Sequence, residues 1–247
     1  MTKLVTSGLI IAIIAFAGAL FALKSEYTQS KMARLADCDD LPADVIPSIS
    51  GAHQNIVLIG DSRAWEYGLW LKKNTDLKVL NLARPGETSK QTACKLERQI
   101  SQLDESKVTS PDVVLLSLGI NDLVTASLNR SKGRIAIESQ AVRNVLAISE
   151  RLLQHFGKAL VISVVPPIEM DPLRRILWGP DIDDAVEAMN IELRSELPSG
   201  VQLLDLESVF FDATKDKWRK DLARDALHWN DNGYAKLHAK LDLRDLN

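Results

Sequence analysis

The stretch that decides the fold of this chain reads Ile56-Val57-Leu58-Ile59-Gly60-Asp61-Ser62. Four consecutive apolar residues that end at a glycine are typical of a strand buried on both faces of a parallel sheet. The next residues can end the strand and cap the start of a helix. Taken alone, Gly-Asp-Ser forms a simple turn more often than a functional site, so its meaning depends on the rest of the chain.

Strand-like and helix-like segments alternate after this stretch. The apolar pattern predicts four further strands, separated by helical stretches, at residues 77–82, 113–118, 159–165 and 201–206. Strands and helices that alternate in this way form right-handed crossovers, which build a parallel sheet with helices on both faces. The sequence therefore predicts a three-layer α/β/α domain with a five-stranded parallel sheet over residues 55–247.

The composition excludes several classes of protein. Of the 247 residues, 46% are hydrophobic and 26% are charged, which is typical of a folded chain rather than a disordered one. The formal net charge of -3 gives no reason to expect binding to nucleic acid. Two cysteines exclude a disulfide-dense scaffold, and four histidines without metal-site spacing argue against a metal centre.

The first segment of the chain is strongly apolar. Residues 4–23 carry no charged side chain, and a helix of this length spans about 30 Å, the hydrocarbon thickness of a bilayer. We therefore predict a membrane-anchoring transmembrane helix at residues 1–24. A cleaved signal peptide is the alternative, because the small residues of Ala17-Gly18-Ala19 suit a signal peptidase. The charged residues 25–54 are predicted to be a linker.

The charges beside the apolar segment bear on where the domain lies. Lys24, Lys31 and Arg34 follow the segment, and this distribution favours a cytoplasmic domain. N-terminal anchors of this kind usually export the domain attached to them, so we expect a periplasmic or other extracytoplasmic domain, secreted if the segment is cleaved. Cys38 and Cys94 could form a disulfide there or remain as two free thiols.

Polar residues follow the ends of the predicted strands. In parallel α/β sheets, ligands bind at the carboxyl ends of the strands. Four short blocks stand at or after these ends: Gly60-Asp61-Ser62, the turn at Gly86, Gly119-Ile120-Asn121-Asp122 and Asp225-Ala226-Leu227-His228. Each block alone is weak evidence. Together they supply a hydroxyl group, hydrogen-bond donors, a carboxylate and an imidazole.

These four ordered blocks resemble those of the SGNH hydrolases, also called GDSL esterases and lipases. The resemblance extends over about residues 55–242, and the stretches 201–205 and 228–234 resemble the platelet-activating-factor acetylhydrolase branch in particular. It implies a flavodoxin-like sheet and the hydrolysis of a carboxylic ester without a cofactor or a metal ion.

The resemblance also assigns a role to each block. It implies that Ser62 is the nucleophile, that His228 is the general base and that Asp225 orients the histidine. The backbone N–H groups of Ser62 and Gly86 and the side-chain amide of Asn121 would form the oxyanion hole.

The substrate is less closely defined by the sequence. Four side chains near the blocks or on the loop after the fourth strand could contact a substrate: Arg63, Arg84, Trp178 and Trp229. Packing or a surface position is their alternative. We expect a short-chain acyl ester of a small molecule, lipid or glycan, such as an acetyl group on an envelope polysaccharide. Acyl transfer to a glycan and a non-catalytic envelope binding or assembly module remain open, as does the oligomeric state.

Overall fold

The computed structural model describes residues 2–35, 38, 54–105, 111–129, 131–167, 172, 174, 178, 181–211 and 219–241. Within these residues, five parallel strands form one sheet: β1 (Ile56–Gly60), β2 (Val79–Asn81), β3 (Val113–Ser117), β4 (Ala159–Ile162) and β5 (Val201–Leu204). Their order across the sheet is β2-β1-β3-β4-β5, which is the flavodoxin-like order. The predicted α/β fold with a five-stranded parallel sheet is therefore confirmed.

The helices of the described residues precede, connect and follow these strands. They are α1 (Thr2–Ala33), α2 (Ser62–Asn74), α3 (Ser89–Glu105), α4 (Ile120–Ser127), α5 (Ser131–Phe156), α6 (Ile182–Glu196), α7 (Glu207–Phe210), a 3₁₀ helix (Lys220–Leu222) and α8 (Asp231–Lys240). The sequence pattern predicts neither α4 nor α7, which are short.

Both faces of the sheet are covered by helices. Side chains alternate along β1, so that Val57 and Ile59 pack with α3, α5 and α6, whereas Ile56 and Leu58 pack with α2 and α8. All residues of β1 and β3 are buried. The segments that follow these two central strands therefore emerge in the middle of the carboxyl edge, at the point where the strand order reverses.

Helix α1 covers the segment that the sequence predicts to be a membrane anchor. It continues to Ala33 and so extends beyond residue 24 into the predicted linker. In the part of the chain that the structure describes, no helix combines the length and the apolar character needed to cross a membrane. The predicted transmembrane helix is thus not found.

The end of α1 is attached to the α/β domain by a hydrogen bond and a disulfide. Trp178 Nε1 donates to the Tyr27 hydroxyl oxygen at 2.9 Å. Cys38 and Cys94, the latter in α3, form a disulfide with their Cα atoms 5.5 Å apart. The structure therefore pairs the two cysteines whose state the sequence left open.

Candidate active site

The turn between β1 and α2 positions the predicted nucleophile. Gly60 has a φ of +144°, and a side chain at this position would overlap the carbonyl oxygen of Ser117 in β3. Asp61 caps α2 by accepting a hydrogen bond from the Arg63 N–H at 2.9 Å. Ser62 is consequently the first residue of α2, and its N–H lies at the positively polarised end of the helix.

Ser62, His228 and Asp225 lie in a row at hydrogen-bond distances. His228 Nε2 is 2.9 Å from Ser62 Oγ, and Nδ1 is 2.9 Å from each oxygen of the Asp225 carboxylate. A carboxylate beside Nδ1 favours the tautomer with its proton there, which leaves Nε2 free to accept from the serine hydroxyl. Within the described residues, neither His228 nor Asp225 belongs to a group of three or more potential metal ligands.

The Asp225 carboxylate is stabilised in its charged form. Burial acts to raise its pKa, but hydrogen bonds from the Leu227 N–H and from His228 outweigh it and lower the pKa to about 2. Asp225 is therefore ionised at neutral pH, and it can stabilise a positively charged imidazole.

Arg63 holds the loop that carries His228. Its Nε donates to the carbonyl of Leu227 at 2.8 Å, and its Nη1 donates to the carbonyl of Val165 at 2.6 Å. The guanidinium carbon lies 5.4 Å from the ring centre of Trp229. Arg63 and Trp229 are only 4% and 1% exposed. The structure thus places both side chains in the interior, and their contact with a substrate stays a prediction.

Hydrogen bonds join the loops that carry the candidate oxyanion-hole donors. The Arg84 N–H donates to the carbonyl of Gly60 at 2.8 Å, which joins the second sequence block to the first. Asn121 Nδ2 donates to the carbonyl of Glu87 at 3.0 Å, which joins the third block to the second. The amide of Asn121 retains a second N–H that can point elsewhere. The three loops therefore lie together at the carboxyl edge of the sheet.

Asp122 links α4 to the start of α3. Its Oδ2 accepts from the Ser89 N–H at 2.9 Å, and its Oδ1 accepts from the Ser89 hydroxyl at 2.8 Å. Asn144 of α5 donates to the same hydroxyl at 3.0 Å. Burial raises the pKa of Asp122 to about 6, although the two bonds from Ser89 act to lower it. This network fixes the second block relative to the third.

The part of the sequence that contains the whole site matches a known protein family. A sequence profile of the GDSL-like lipase/acylhydrolase family matches residues 58–236. The chain belongs to the GDSL-like lipase/acylhydrolase family. The predicted resemblance to this family is confirmed, and all five predicted triad and oxyanion-hole residues of the acylhydrolase lie within the matched range. No curated protein sequence matches the chain.

Solved structures share the fold of this acylhydrolase at low sequence identity. A GDSL-like lipase from Bacteroides thetaiotaomicron VPI-5482 is 15% identical, with a TM-score of 0.56 over 92% of this chain and 100% of that one. A Streptococcus pneumonia structure whose name refers to platelet activating factor is 17% identical, with a TM-score of 0.55 over 96% and 99%. An acetylxylan esterase from Geobacillus stearothermophilus is 18% identical, with a TM-score of 0.52 over 80% and 95%. At these identities the likeness concerns the fold.

The two other predicted substrate contacts of the acylhydrolase differ from each other in exposure. Trp178 is buried, and its indole N–H donates to Tyr27, so the structure gives it a packing position rather than a place in contact with substrate. Arg84 is half-buried and lines a cavity of about 150 Å³ together with Gly86 and Arg34. Only Arg84 of these two lies where a small molecule could reach it.

Glu66 is a neighbour of the triad that the sequence pattern of this acylhydrolase does not identify. It lies one helical turn after Ser62 in α2, and its Oε1 is 4.0 Å from His228 Nε2. The same oxygen accepts from Arg224 at 2.8 Å, and Oε2 accepts from the Tyr234 hydroxyl at 2.9 Å. The four-residue spacing from Ser62 is the signal that could have identified it.

Proposed function

We propose that this acylhydrolase is a serine esterase that hydrolyses a short-chain acyl ester. One observation carries the proposal: His228 lies 2.9 Å from Ser62 Oγ through one ring nitrogen and 2.9 Å from the Asp225 carboxylate through the other. A serine hydroxyl is a weak nucleophile at neutral pH and needs a base at hydrogen-bond distance. This arrangement supplies the base together with the group that orients it.

Acylation begins when Ser62 Oγ attacks the carbonyl carbon of the ester and its proton passes to His228 Nε2. Asp225 accepts the hydrogen bond from Nδ1 and stabilises the imidazolium. Negative charge develops on the carbonyl oxygen, and the N–H groups of Ser62 and Gly86 and the second amide N–H of Asn121 are the proposed donors to it. The loss of one such donor typically costs a factor of about 10²–10³ in rate.

The tetrahedral intermediate then collapses, and the bond between the carbonyl carbon and the alcohol oxygen breaks. The imidazolium of His228 gives its proton to the leaving alcohol, while Ser62 retains the acyl group as an ester. A water molecule attacks this second ester with His228 again as the base, which releases the carboxylic acid and restores Ser62. One ester and one water thus yield one acid and one alcohol.

A cleft beside the triad supports a glycan ester as the substrate. The cleft has a volume of about 560 Å³ and is lined by Glu66, a neighbour of the triad, and by Arg224, which binds Glu66. Trp70 adds an aromatic surface and Lys73 adds a hydrogen-bond donor, a combination that suits a sugar ring. One relative in fold is named an acetylxylan esterase. We therefore propose an acetyl group on a polysaccharide as the ester.

The Cys38–Cys94 disulfide supports an extracytoplasmic location. Disulfides persist in oxidising compartments such as the periplasm and are rare in the reducing cytosol. This pairing outweighs the positive charges that follow the apolar segment, and we propose that the esterase acts outside the cytoplasm.

The test compares p-nitrophenyl acetate, butyrate and octanoate as substrates of the purified full-length chain. We expect kcat/KM to fall with acyl length and the Ser62→Ala variant to lose at least about 10⁴-fold in kcat. Ser101→Ala changes an exposed serine of α3 and is the matched control, which should retain full activity. Equal rates for wild type and Ser62→Ala would refute the proposal.

The substrate class needs a second measurement. Acetate released from acetylated xylan, followed by mass spectrometry of the glycan, should appear with the wild type and not with Ser62→Ala. If the chain hydrolyses p-nitrophenyl acetate but releases no acetate from the glycan, the proposed esterase activity stands and the polysaccharide is refuted as its substrate.

A further inference from the structure

The oxyanion donor proposed at Gly86 belongs to a tight turn. The Glu87 N–H donates to the carbonyl of Arg84 at 3.3 Å, and Gly86 has a φ of +76°. A proline followed by a glycine at the two central positions is typical of a type II turn. The N–H of Gly86 is part of the central peptide of this turn, so its direction depends on the geometry of the whole turn.

Arg34, directly after the end of α1, contacts this turn and the residue that follows it. Its Nη1 donates to the carbonyl of Gly86 at 2.9 Å, and its own carbonyl accepts from Thr88 Oγ1 at 3.1 Å. The guanidinium occupies the space that a side chain at position 86 would fill, so its close approach requires glycine there. Glu87 lies between Gly86 and Thr88, and its carbonyl accepts a hydrogen bond from Asn121 of the third block.

The disulfide links the segment that carries Arg34 to the helix that follows the turn. Cys38 lies four residues after Arg34, and Cys94 lies near the start of α3, the helix that begins directly after Thr88. The covalent bond therefore links the segment that carries Arg34 to the helix that continues from the turn. The disulfide therefore limits how far the segment that carries Arg34 can move away from the turn.

We infer that Arg34 is a positioning residue for the oxyanion hole and that the Cys38–Cys94 disulfide keeps it in place. The inference rests on the proposed function, because it takes the Gly86 N–H as an oxyanion donor. Such a donor contributes fully only when it points at the position of the developing charge. A misplacement of about 1 Å can cost a factor of about 10² in rate. The Arg34 contact should therefore raise kcat rather than substrate affinity.

Variants at Arg34 provide the first test. We expect Arg34→Met to lower kcat for p-nitrophenyl acetate by about 10- to 100-fold while KM changes less than about two-fold. Arg34→Lys keeps the charge and one donor and should recover part of the loss. Arg98→Met, which removes an exposed arginine of α3, is the matched control and should leave kcat unchanged.

A second measurement reports on the same oxyanion hole without turnover of an ester. A fluorophosphonate places its phosphoryl oxygen where the ester oxygen would lie, so the rate at which it labels Ser62 should fall in parallel with kcat in Arg34→Met. An unchanged kcat and labelling rate, or a lower melting temperature alone, would overturn the inference. If the wild type neither hydrolyses esters nor becomes labelled, the proposed function has failed instead.

The disulfide is tested by replacing both cysteines. The Cys38→Ser/Cys94→Ser variant should lose kcat to a similar degree as Arg34→Met. Combining it with Arg34→Met should add little further loss, because both changes act through one contact. A wild-type kcat in the double serine variant, or losses that multiply in the combined variant, would show that the disulfide does not hold Arg34 in place.

Discussion

Two carboxylates near Ser62, the proposed nucleophile, have opposite pKa shifts because their surroundings differ. Asp225 is partly exposed and its hydrogen bonds lower its pKa to about 2, whereas burial raises the pKa of Asp61 to about 6 although the Arg63 charge acts against it. The spacing of Asp225 and His228 by three residues made their pairing predictable from the sequence. The ionisation of each carboxylate was not predictable, since it depends on desolvation in the folded chain.

The charge of Asp225 should matter more to kcat than to stability. In Asp225→Asn, the amide N–H groups would disfavour a proton on His228 Nδ1, so Nε2 would carry the proton and could not accept one from Ser62. We expect kcat for p-nitrophenyl acetate to fall by about 10³–10⁴-fold with little change in melting temperature. Asp221→Asn, at an exposed carboxylate paired with Arg219, is the control. A loss below about ten-fold would contradict the assigned role.

Asp122 should make stability depend on pH in the acid range. Its pKa is raised from 3.8 to about 6 in the folded chain, mainly by burial. Between these values the folded state retains a proton that the unfolded state releases, so the free energy of unfolding should fall as pH rises from about 4 to 6 and level off above. A shift of this size corresponds to roughly 3 kcal/mol.

Urea unfolding at pH 4, 5, 6 and 7 measures this dependence. Asn at position 122 keeps an acceptor for the Ser89 N–H and does not titrate, so the Asp122→Asn curve should be flatter than that of the wild type between pH 4 and 6. The exposed Asp76→Asn should follow the wild type. Parallel curves for wild type and Asp122→Asn would contradict the prediction.

The strands and long helices could be predicted because their apolar patterns extend over whole elements. β1 and β3 have continuous apolar runs, and their predicted and observed bounds agree within one residue. Helix α4 was missed because Gly119-Ile120-Asn121-Asp122 also suits a turn and the helix is only eight residues long. Its place is set by contacts with other helices and by the bond from Asp122 to Ser89, which a local pattern does not contain.

Gly60 should be the least replaceable glycine at the carboxyl edge. Its side chain in Gly60→Ala would meet the Ser117 carbonyl of the neighbouring strand, in a backbone conformation that suits glycine. We expect a loss of at least about 4 kcal/mol in the free energy of unfolding, or no soluble protein. Gly157 also has a positive φ, but open space surrounds it, so Gly157→Ala should cost only about 1–2 kcal/mol. Similar losses in urea unfolding would contradict this account.

At the scale of the whole molecule, contacts between distant segments complete the site. Arg34 reaches Gly86 across 52 residues, from a segment whose charged composition predicts a linker. The sequence blocks, through their resemblance to a known family, predicted that Ser62, His228 and Asp225 lie together, as the structure has them. Arg34 and the burial of Trp178 carry no such local signal, because both depend on how α1 meets the rest of the chain.

The disulfide should contribute strongly to global stability as well. It closes a loop across a separation of 56 residues, for which the chain-entropy relation gives about 4 kcal/mol. The Cys38→Ser/Cys94→Ser variant should therefore unfold at a lower urea concentration than the oxidised wild type. Reductant should shift the wild type toward the variant and leave the variant unchanged. A variant as stable as the oxidised wild type would contradict the prediction.

Ser62 and His228 are 166 residues apart in the chain, one beside the first strand of the sheet and the other just before the last described helix. A chain that stops anywhere before residue 228 lacks the proposed general base, however well its earlier part has folded. With the proposed esterase activity, colour from a chromogenic ester in colonies would thus count only translation products that extend through residue 228. A library of random variants could be purged by this colour of frameshifts and stop codons that fall before residue 228, without a fused reporter.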